Sequence, residues 1–170
     1  LSEILGRIGR LKDKDAAVQK KLAEMMAYVE TSGVPDAALL KMAKLGLVMD
    51  RWMQEVDVTV SAVQCWTSLE EFFGVVPCTL MSMMSNSLAP SACETDIAGL
   101  VGMYALRLAS NTPAALVDWN NNYGGDAEKC VLFHCGNWAK SFLPDATIGT
   151  APILGTIVGA QALRLLLDLA

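Results

Sequence analysis

The feature that most constrains the fold is a change in hydrophobic period between the first third of the chain and the rest. In residues 14–31 and 36–54, apolar side chains recur every three or four positions, which predicts two amphipathic helices. The next stretch, residues 56–66 (VDVTVSAVQCW), is β-branched and almost continuously apolar. That pattern is typical of a strand covered on both faces of a parallel sheet.

Downstream of this strand, helical and strand signals alternate. A helix is predicted from Pro90 to about Ser110, opened by a capping box, and strands are predicted at 114–118 and 130–134. Alternating strands and helices predict an α/β fold with an open, mostly parallel sheet and flanking helices, a Rossmann-like three-layer arrangement.

Three segments follow from this pattern. Residues 1–55 form a helical N-terminal segment, residues 56–159 form the α/β domain, and residues 160–170 (AQALRLLLDLA) are predicted to form a C-terminal helix. The uncharged stretch 147–163 is interrupted by three glycines and a proline, so we interpret it as a buried strand and helix and not as a membrane span. A membrane-associated protein built on residues 147–170 is the less favoured alternative.

Composition excludes several classes of function. The net charge of −5 without a basic cluster argues against nucleic acid as a partner, because phosphate binding needs clustered lysine and arginine. The N-terminus has no apolar core of a secretory signal. The five cysteines show no CxxC spacing, which argues against a disulfide framework or a structural zinc site. Reduced, mostly buried thiols in a cytoplasmic protein are therefore predicted.

Three residues could together hold a divalent metal. Asp118 closes one predicted strand, His134 nearly closes the next, and Glu94 lies in the first turn of the predicted helix. Carboxylate and imidazole ligands suit a hard or borderline divalent cation. Because ligands bind beyond the carboxyl ends of strands in open α/β sheets, further polar and aromatic residues at that edge are candidates for contacting a ligand, and the tryptophans among them could stack on the apolar face of a sugar. These are Gln64, Trp66, Trp119 and Asn120.

Each of these residues also has a purely structural interpretation. Glu94 could bond back to the amide of Ser91 in a capping box, and His134 could be a hydrogen-bonded core residue. The tryptophans could serve only in packing. Phosphate loops (GxGxxG, GxxxxGK[ST]), the GxSxG nucleophile motif and the HExxH zinc motif are all missing from the sequence.

Five ordered motifs across residues 56–145 resemble the middle region of the L-fucose isomerase-like family, which is related to L-fucose and L-arabinose isomerases. They are SAVQCW, FGVVPCTLMSMMSN, PSACETDIAG, LVDWNNNYG and KCVLFHC. The resemblance implies that Glu94, in the ACExD motif, and Asp118, in the DWN motif, bind a divalent metal, usually manganese. Their separation of 24 residues is that of the L-fucose isomerase pair. His134 resembles in position a histidine of the arabinose branch and is carried over as the third ligand.

The resemblance further implies a metal-dependent aldose–ketose isomerase that acts through an ene-diol, with a sugar as substrate and a homo-oligomeric assembly. Glu94 would move the proton between C2 and C1, and Asp118 would handle the hydroxyl proton. Family members are several times longer, so an incomplete site and an inactive fragment are expected here. The alternative from another class is a non-catalytic α/β binding or assembly module in which Glu94 only caps a helix.

Overall fold

The two predicted N-terminal helices are present, and a third precedes them. In the computed structural model, which describes residues 1–134, 137–150 and 163–166, helix α2 spans Ala16–Tyr28 and helix α3 spans Asp36–Glu55. Helix α1 (Ser2–Gly9) lies within the predicted helical segment 1–55, but it was not predicted as a separate helix because it is short for a helical pattern.

Contacts with α3 hold this first helix in place. The Arg7 guanidinium donates to Glu3 at 2.8 Å and to Glu55 at 2.6 Å, and it lies 5.1 Å from the centre of the Trp52 ring. Glu55 and Trp52 both belong to α3, so the charged and aromatic partners of α1 come largely from a distant part of the chain.

The main core forms where the apolar faces of these helices meet helix α5 (Cys78–Asn86). Its largest side chains are fully or almost fully buried; they include Val18, Met25, Met42, Leu45 and Leu80. The helical spacing of these residues explains the arrangement, since each helix places its apolar positions on one face. Helix α5 contributes Leu80 and Met84 to this core, and Met83 packs against it.

The strands confirm the α/β class, although they form three separate pairs. Strands β1 (Ser61–Val63) and β2 (Ser91–Cys93) are parallel, with Val63 opposite Cys93. Strands β3 (Asp118–Tyr123) and β4 (Asp126–Phe133) form an antiparallel hairpin. Between β1 and α5 lie a π-helical turn, Cys65–Leu69, and the one-turn helix α4 (Glu70–Phe72).

Three predicted boundaries are corrected. The strand predicted over residues 56–66 is reduced to β1, because the chain turns at Asp57, whose φ is 53°, in the left-handed region. The helix predicted from Pro90 begins only at Ile97 (α6, Ile97–Ser110), since Ser91–Cys93 is strand β2. Of the strand predicted at 114–118, only Asp118 belongs to a strand, because pairing with β4 begins there. The hairpin forms because a Gly pair at 124–125 permits a tight turn.

The end of the described chain also differs from the expectation. Strand β5 (Thr147–Thr150) pairs antiparallel with strand β6 (Leu163–Leu166), within the segment predicted as a C-terminal helix. A physical reason is the open edge of β5, which offers backbone partners that outweigh the helical preference of leucine. The rest of the predicted helix lies outside the described residues. Within the residues that the structure describes, no helix is long and apolar enough to cross a membrane.

A short segment after the hairpin connects several of these elements. The Asn137 amide donates to the Ser91 carbonyl at 3.1 Å, and the Trp138 indole N–H donates to the Leu116 carbonyl at 3.1 Å. The Tyr28 hydroxyl accepts from the Lys140 backbone N–H at 2.9 Å. These bonds link α2, β2 and the chain before the hairpin, so the region around the candidate site is fixed to the helical core.

Candidate functional site

Glu94 lies immediately after strand β2, at the edge where the carboxyl ends of β1 and β2 meet. Glu94 and Thr95 both adopt left-handed backbone conformations, with φ of 57° and 59°. Two successive non-glycine residues in this region are uncommon, and such residues are concentrated at functional sites. The Thr95 N–H donates to the Val63 carbonyl at 3.3 Å, which ties the turn to the end of β1. The Glu94 side chain is exposed.

The capping-box interpretation of Glu94 is wrong. The N-cap of α6 is Asp96, whose carboxylate accepts from the Gly99 N–H at 2.8 Å. Ser91 cannot be the N-cap because it lies in β2, where its carbonyl is taken by Asn137. The N-cap of α6 is therefore not the residue that the sequence predicted. Glu94 takes no part in capping this helix.

Asp118 and His134 lie close together in the backbone at the open end of the hairpin. Asp118 is paired with Phe133, and His134 follows Phe133 directly. Asp118 is exposed, whereas His134 is half-buried and makes an interaction of its own. The hairpin therefore places the backbones of two of the three predicted metal ligands near each other, although through antiparallel pairing and not through the parallel sheet that the sequence predicted.

The donor chemistry fits a divalent cation, but the described residues do not complete a site. Within residues 1–134 and 137–150, neither the Glu94 carboxylate nor the Asp118 carboxylate makes a hydrogen bond or an ion pair, and both side chains are exposed. In that same part of the chain, no group of three His, Cys, Asp or Glu side chains could hold a metal ion. Three-ligand metal binding by Glu94, Asp118 and His134 therefore stays a prediction.

The predicted sugar-contacting residues fall in different places. Gln64 is exposed just after β1, at the same edge as Glu94. Trp119 is 82% exposed on the hairpin, next to Asp118, and so its ring is available for stacking on a ligand. Trp66 and Asn120 occupy the π-helical turn and β3, but their side chains lie outside the described residues.

The sequence analysis did not anticipate a cavity of about 310 Å³ beside β1. Its walls are mainly apolar and come from α1, α3, β1 and the π-helical turn; they include Leu45, Trp52, Val60, Gln64 and Ser68. The valines at 56, 58 and 60 line it, so the apolar run before β1 was a signal for it. Gln64 supplies a polar group at this wall.

Comparison with known proteins points to one kind of enzyme. No family model matches the chain. The sulfoquinovose isomerase of Alkalicoccus urumqiensis is 26% identical over 137 residues, which cover 79% of this chain and 31% of the relative. Sulfoquinovose isomerases of Priestia aryabhattai (25% over 118 residues; 69% of this chain, 26% of the relative) and Clostridium sp. strain MSTE9 (23% over 140 residues; 82% and 31%) are also similar.

The chain spans about a third or less of the length of these curated relatives. Their shared name supports a resemblance to sugar isomerases, the broader class that the sequence motifs indicated. The narrower assignment to the L-fucose isomerase-like family stays a prediction.

Proposed function

We propose that this chain carries part of the active site of a metal-dependent aldose–ketose isomerase of the L-fucose isomerase-like type, with Glu94 and Asp118 as its acid–base and metal-binding residues. The observation that carries the proposal is the state of Glu94. It is an exposed carboxylate without a capping role, held in a left-handed turn at the carboxyl end of a parallel strand pair. The similarity to sulfoquinovose isomerases supports the reaction class.

Isomerising an aldose requires a proton to leave C2 and return to C1, and a second proton to move between the two oxygens. A carboxylate placed over the carbon atoms can do the first task, and we assign it to Glu94. We assign the hydroxyl proton to Asp118. Two exposed carboxylates suit these roles because a carboxylate oxygen can accept a proton from the substrate and return it.

Manganese or another divalent cation, when bound, would supply Lewis-acid stabilisation of the charge that develops on the sugar oxygens. Glu94, Asp118 and His134 are the residues of this chain that would hold it. Carboxylate oxygens and an imidazole nitrogen match the preference of such cations.

The substrate class we propose is an open-chain aldose, with sulfoquinovose as the first candidate because the relatives are named for it. Trp119 would stack on the apolar face of the sugar, and Gln64, Trp66 and Asn120 would contact it. The assembly we propose is a homo-oligomer, as the resemblance to the L-fucose isomerase-like family implies.

Titration of the chain with Mn²⁺, followed by calorimetry, tests the metal and the carboxylates together. We expect Glu94→Gln and Asp118→Asn each to weaken Mn²⁺ binding by roughly tenfold or more, because each removes a charged ligand. Glu128→Gln, which changes an exposed carboxylate on β4, is the matched control and should leave the affinity unchanged.

Unchanged affinity in both variants would contradict the assignment and favour the non-catalytic binding or assembly module. Repeating the titration with sulfoquinovose and then L-fucose present tests the substrate. Tighter Mn²⁺ binding in the presence of one sugar, lost in Asp118→Asn, is the result we expect for a sugar that shares the site with the metal.

A further inference from the structure

Two buried thiols meet directly behind the Glu94 turn. Cys93 closes β2, and Cys65 begins the π-helical turn that follows β1. Their sulfur atoms lie 2.7 Å apart, and the residues are only 1% and 2% exposed. They share an apolar cluster with Val76, Cys78 and Met81. The sequence predicted only reduced, mostly buried thiols, because these two cysteines are 28 positions apart and no local pattern shows their contact.

We propose that Cys65 and Cys93 are a thiol modification site that low-molecular-weight disulfides oxidise to an intramolecular disulfide. A covalent S–S bond is about 2.05 Å long, so the two sulfur atoms need to approach by roughly 0.7 Å from where they lie. The two residues come from the carboxyl ends of adjacent hydrogen-bonded strands, so a small side-chain adjustment can supply this movement.

The oxidation follows thiol–disulfide exchange. The thiolate of one cysteine attacks a sulfur of the small disulfide, whose S–S bond breaks and releases one thiolate. The second cysteine, after losing its proton to solvent, attacks the sulfur of the mixed disulfide and releases the second small thiolate. The two protein thiols are oxidised, the small disulfide is reduced to two thiols, and the two protons end on the released thiolates.

Burial slows this reaction, because an apolar environment disfavours the reactive thiolate and limits access of reagents to the sulfur. The Glu94–Thr95 turn that follows Cys93 directly is exposed to solvent. A small, uncharged disulfide is therefore a better probe than a bulky one. Once formed, the bond joins the end of β1 to the residue that precedes Glu94, and so it would fix the position of that turn.

The experiment uses the full 170-residue chain and 4,4′-dithiodipyridine as oxidant, followed by alkylation in denaturant and mass mapping without reduction. The sequence allows the three clustered cysteines to be separated. Cleavage after Glu70 or Glu71 separates Cys65 from Cys78, and cleavage at the methionines of residues 81–84 separates Cys78 from Cys93. We expect one peptide pair that contains Cys65 and Cys93, which separates into its halves on reduction.

Cys130, which is exposed on β4, should carry only a pyridyl adduct, and Cys130→Ser should leave the linked peptide unchanged. Cys65→Ser should abolish it. Oxidation should also raise the thermal midpoint by roughly 5 °C, reversed by reductant, since a bond across this loop restricts the unfolded chain.

The map of the wild-type chain decides the outcome even if a cysteine variant does not fold. Pyridyl adducts on both cysteines, linkage of Cys78 in place of either one, or no reaction at the pair while the chain stays folded would each overturn the proposal. The result does not depend on the isomerase assignment, because the mapping requires neither metal nor sugar.

Discussion

The helical core and the β3–β4 hairpin differ sharply in how they bury apolar side chains. In the core formed by α2, α3 and α5, large side chains such as Met25 and Leu45 are completely buried. On the hairpin, Trp119 is 82% exposed and Leu132 47%. The hairpin packs mainly on itself. An isolated two-stranded hairpin is at best marginally stable, so its anchorage depends on the chain that leads into and out of it.

This difference shows that the residues that stabilise the fold and the residues of the candidate site lie in different parts of the chain. The free energy of folding comes mainly from the helical core, because burial of apolar surface is the dominant favourable contribution. The candidate metal and sugar residues Glu94, Asp118 and Trp119 lie outside it. Substitutions in the core should therefore change stability, whereas substitutions at the candidate site should change binding with little effect on stability.

Leu45→Ala against Leu132→Ala gives the largest contrast. Leu45 is fully buried in the core, so its truncation should lower the free energy of unfolding by about 2–5 kcal/mol. Leu132 is half exposed on the hairpin, and its truncation should cost less than about 1 kcal/mol. Urea denaturation measures both. Equal losses would show that the hairpin belongs to the same packed unit as the core.

Two glycine substitutions should have opposite signs. A Cβ on Gly46 in α3 would lie 2.6 Å from Leu80 Cδ2 and 2.8 Å from Lys21 Cε, so Gly46→Ala should destabilise the protein by about 1–3 kcal/mol. A Cβ on Gly102 in α6 would have no other atom within 4 Å. Gly102→Ala should therefore stabilise by about 0.5–1 kcal/mol through better helix propensity. Thermal unfolding of the two variants is the measurement, and a shared sign would contradict the packing described here.

Asp96→Ala and Glu94→Ala test the corrected helix start. Asp96 caps α6, and its loss should cost about 0.5–2 kcal/mol. Glu94 has no capping bond, so its truncation should leave stability almost unchanged. Chemical denaturation compares the two variants. A larger loss for Glu94→Ala would restore the capping box predicted from the sequence.

Tyr28 provides a smaller and pH-dependent effect. Burial raises the pKa of the Tyr28 hydroxyl above its usual value of 10.0, despite hydrogen bonds with Ser82 and Lys140 that lower it. Because the folded-state pKa is the higher one, the stabilising contribution is complete below about pH 10 and is lost as the pH rises through the folded-state pKa.

Tyr28→Phe should cost about 0.5–1.5 kcal/mol at pH 7, through loss of the bonds to Ser82 and Lys140. The gap between wild type and this variant should narrow above pH 10. Tyr123→Phe on the exposed hairpin is the control and should change stability little at either pH. Unfolding measured at both pH values would contradict this account if the gap stayed constant.

Sequence periodicity was enough to place α2 and α3, because their buried faces repeat at helical spacing over many residues. It was not enough for residues 90–134. There, Ser91–Cys93 has the composition of a helix N-terminus but forms a strand, because it pairs with β1. This pairing is a tertiary contact that no local sequence pattern shows. The strand predicted at 130–134 lies largely within β4, but its antiparallel partner was not foreseen.

The candidate site was likewise predicted only in part from the sequence. Sequence reasoning placed Asp118 and His134 near one another, and their backbones are close across the hairpin. It gave Glu94 a structural alternative that the Asp96 cap removes. The contact between Cys65 and Cys93 had no local signal, because it depends on the register of two strands distant in sequence.

The central claim is that Glu94 and Asp118 bind the same cation. Paramagnetic broadening of backbone amide signals by substoichiometric Mn²⁺ measures this directly, since broadening falls steeply with distance from the ion. We predict that the signals flanking Glu94 and those flanking Asp118 broaden together, and that Asp118→Asn protects both sets. Broadening at only one of the two carboxylates, or scattered over the acidic surface without preference, would contradict the claim.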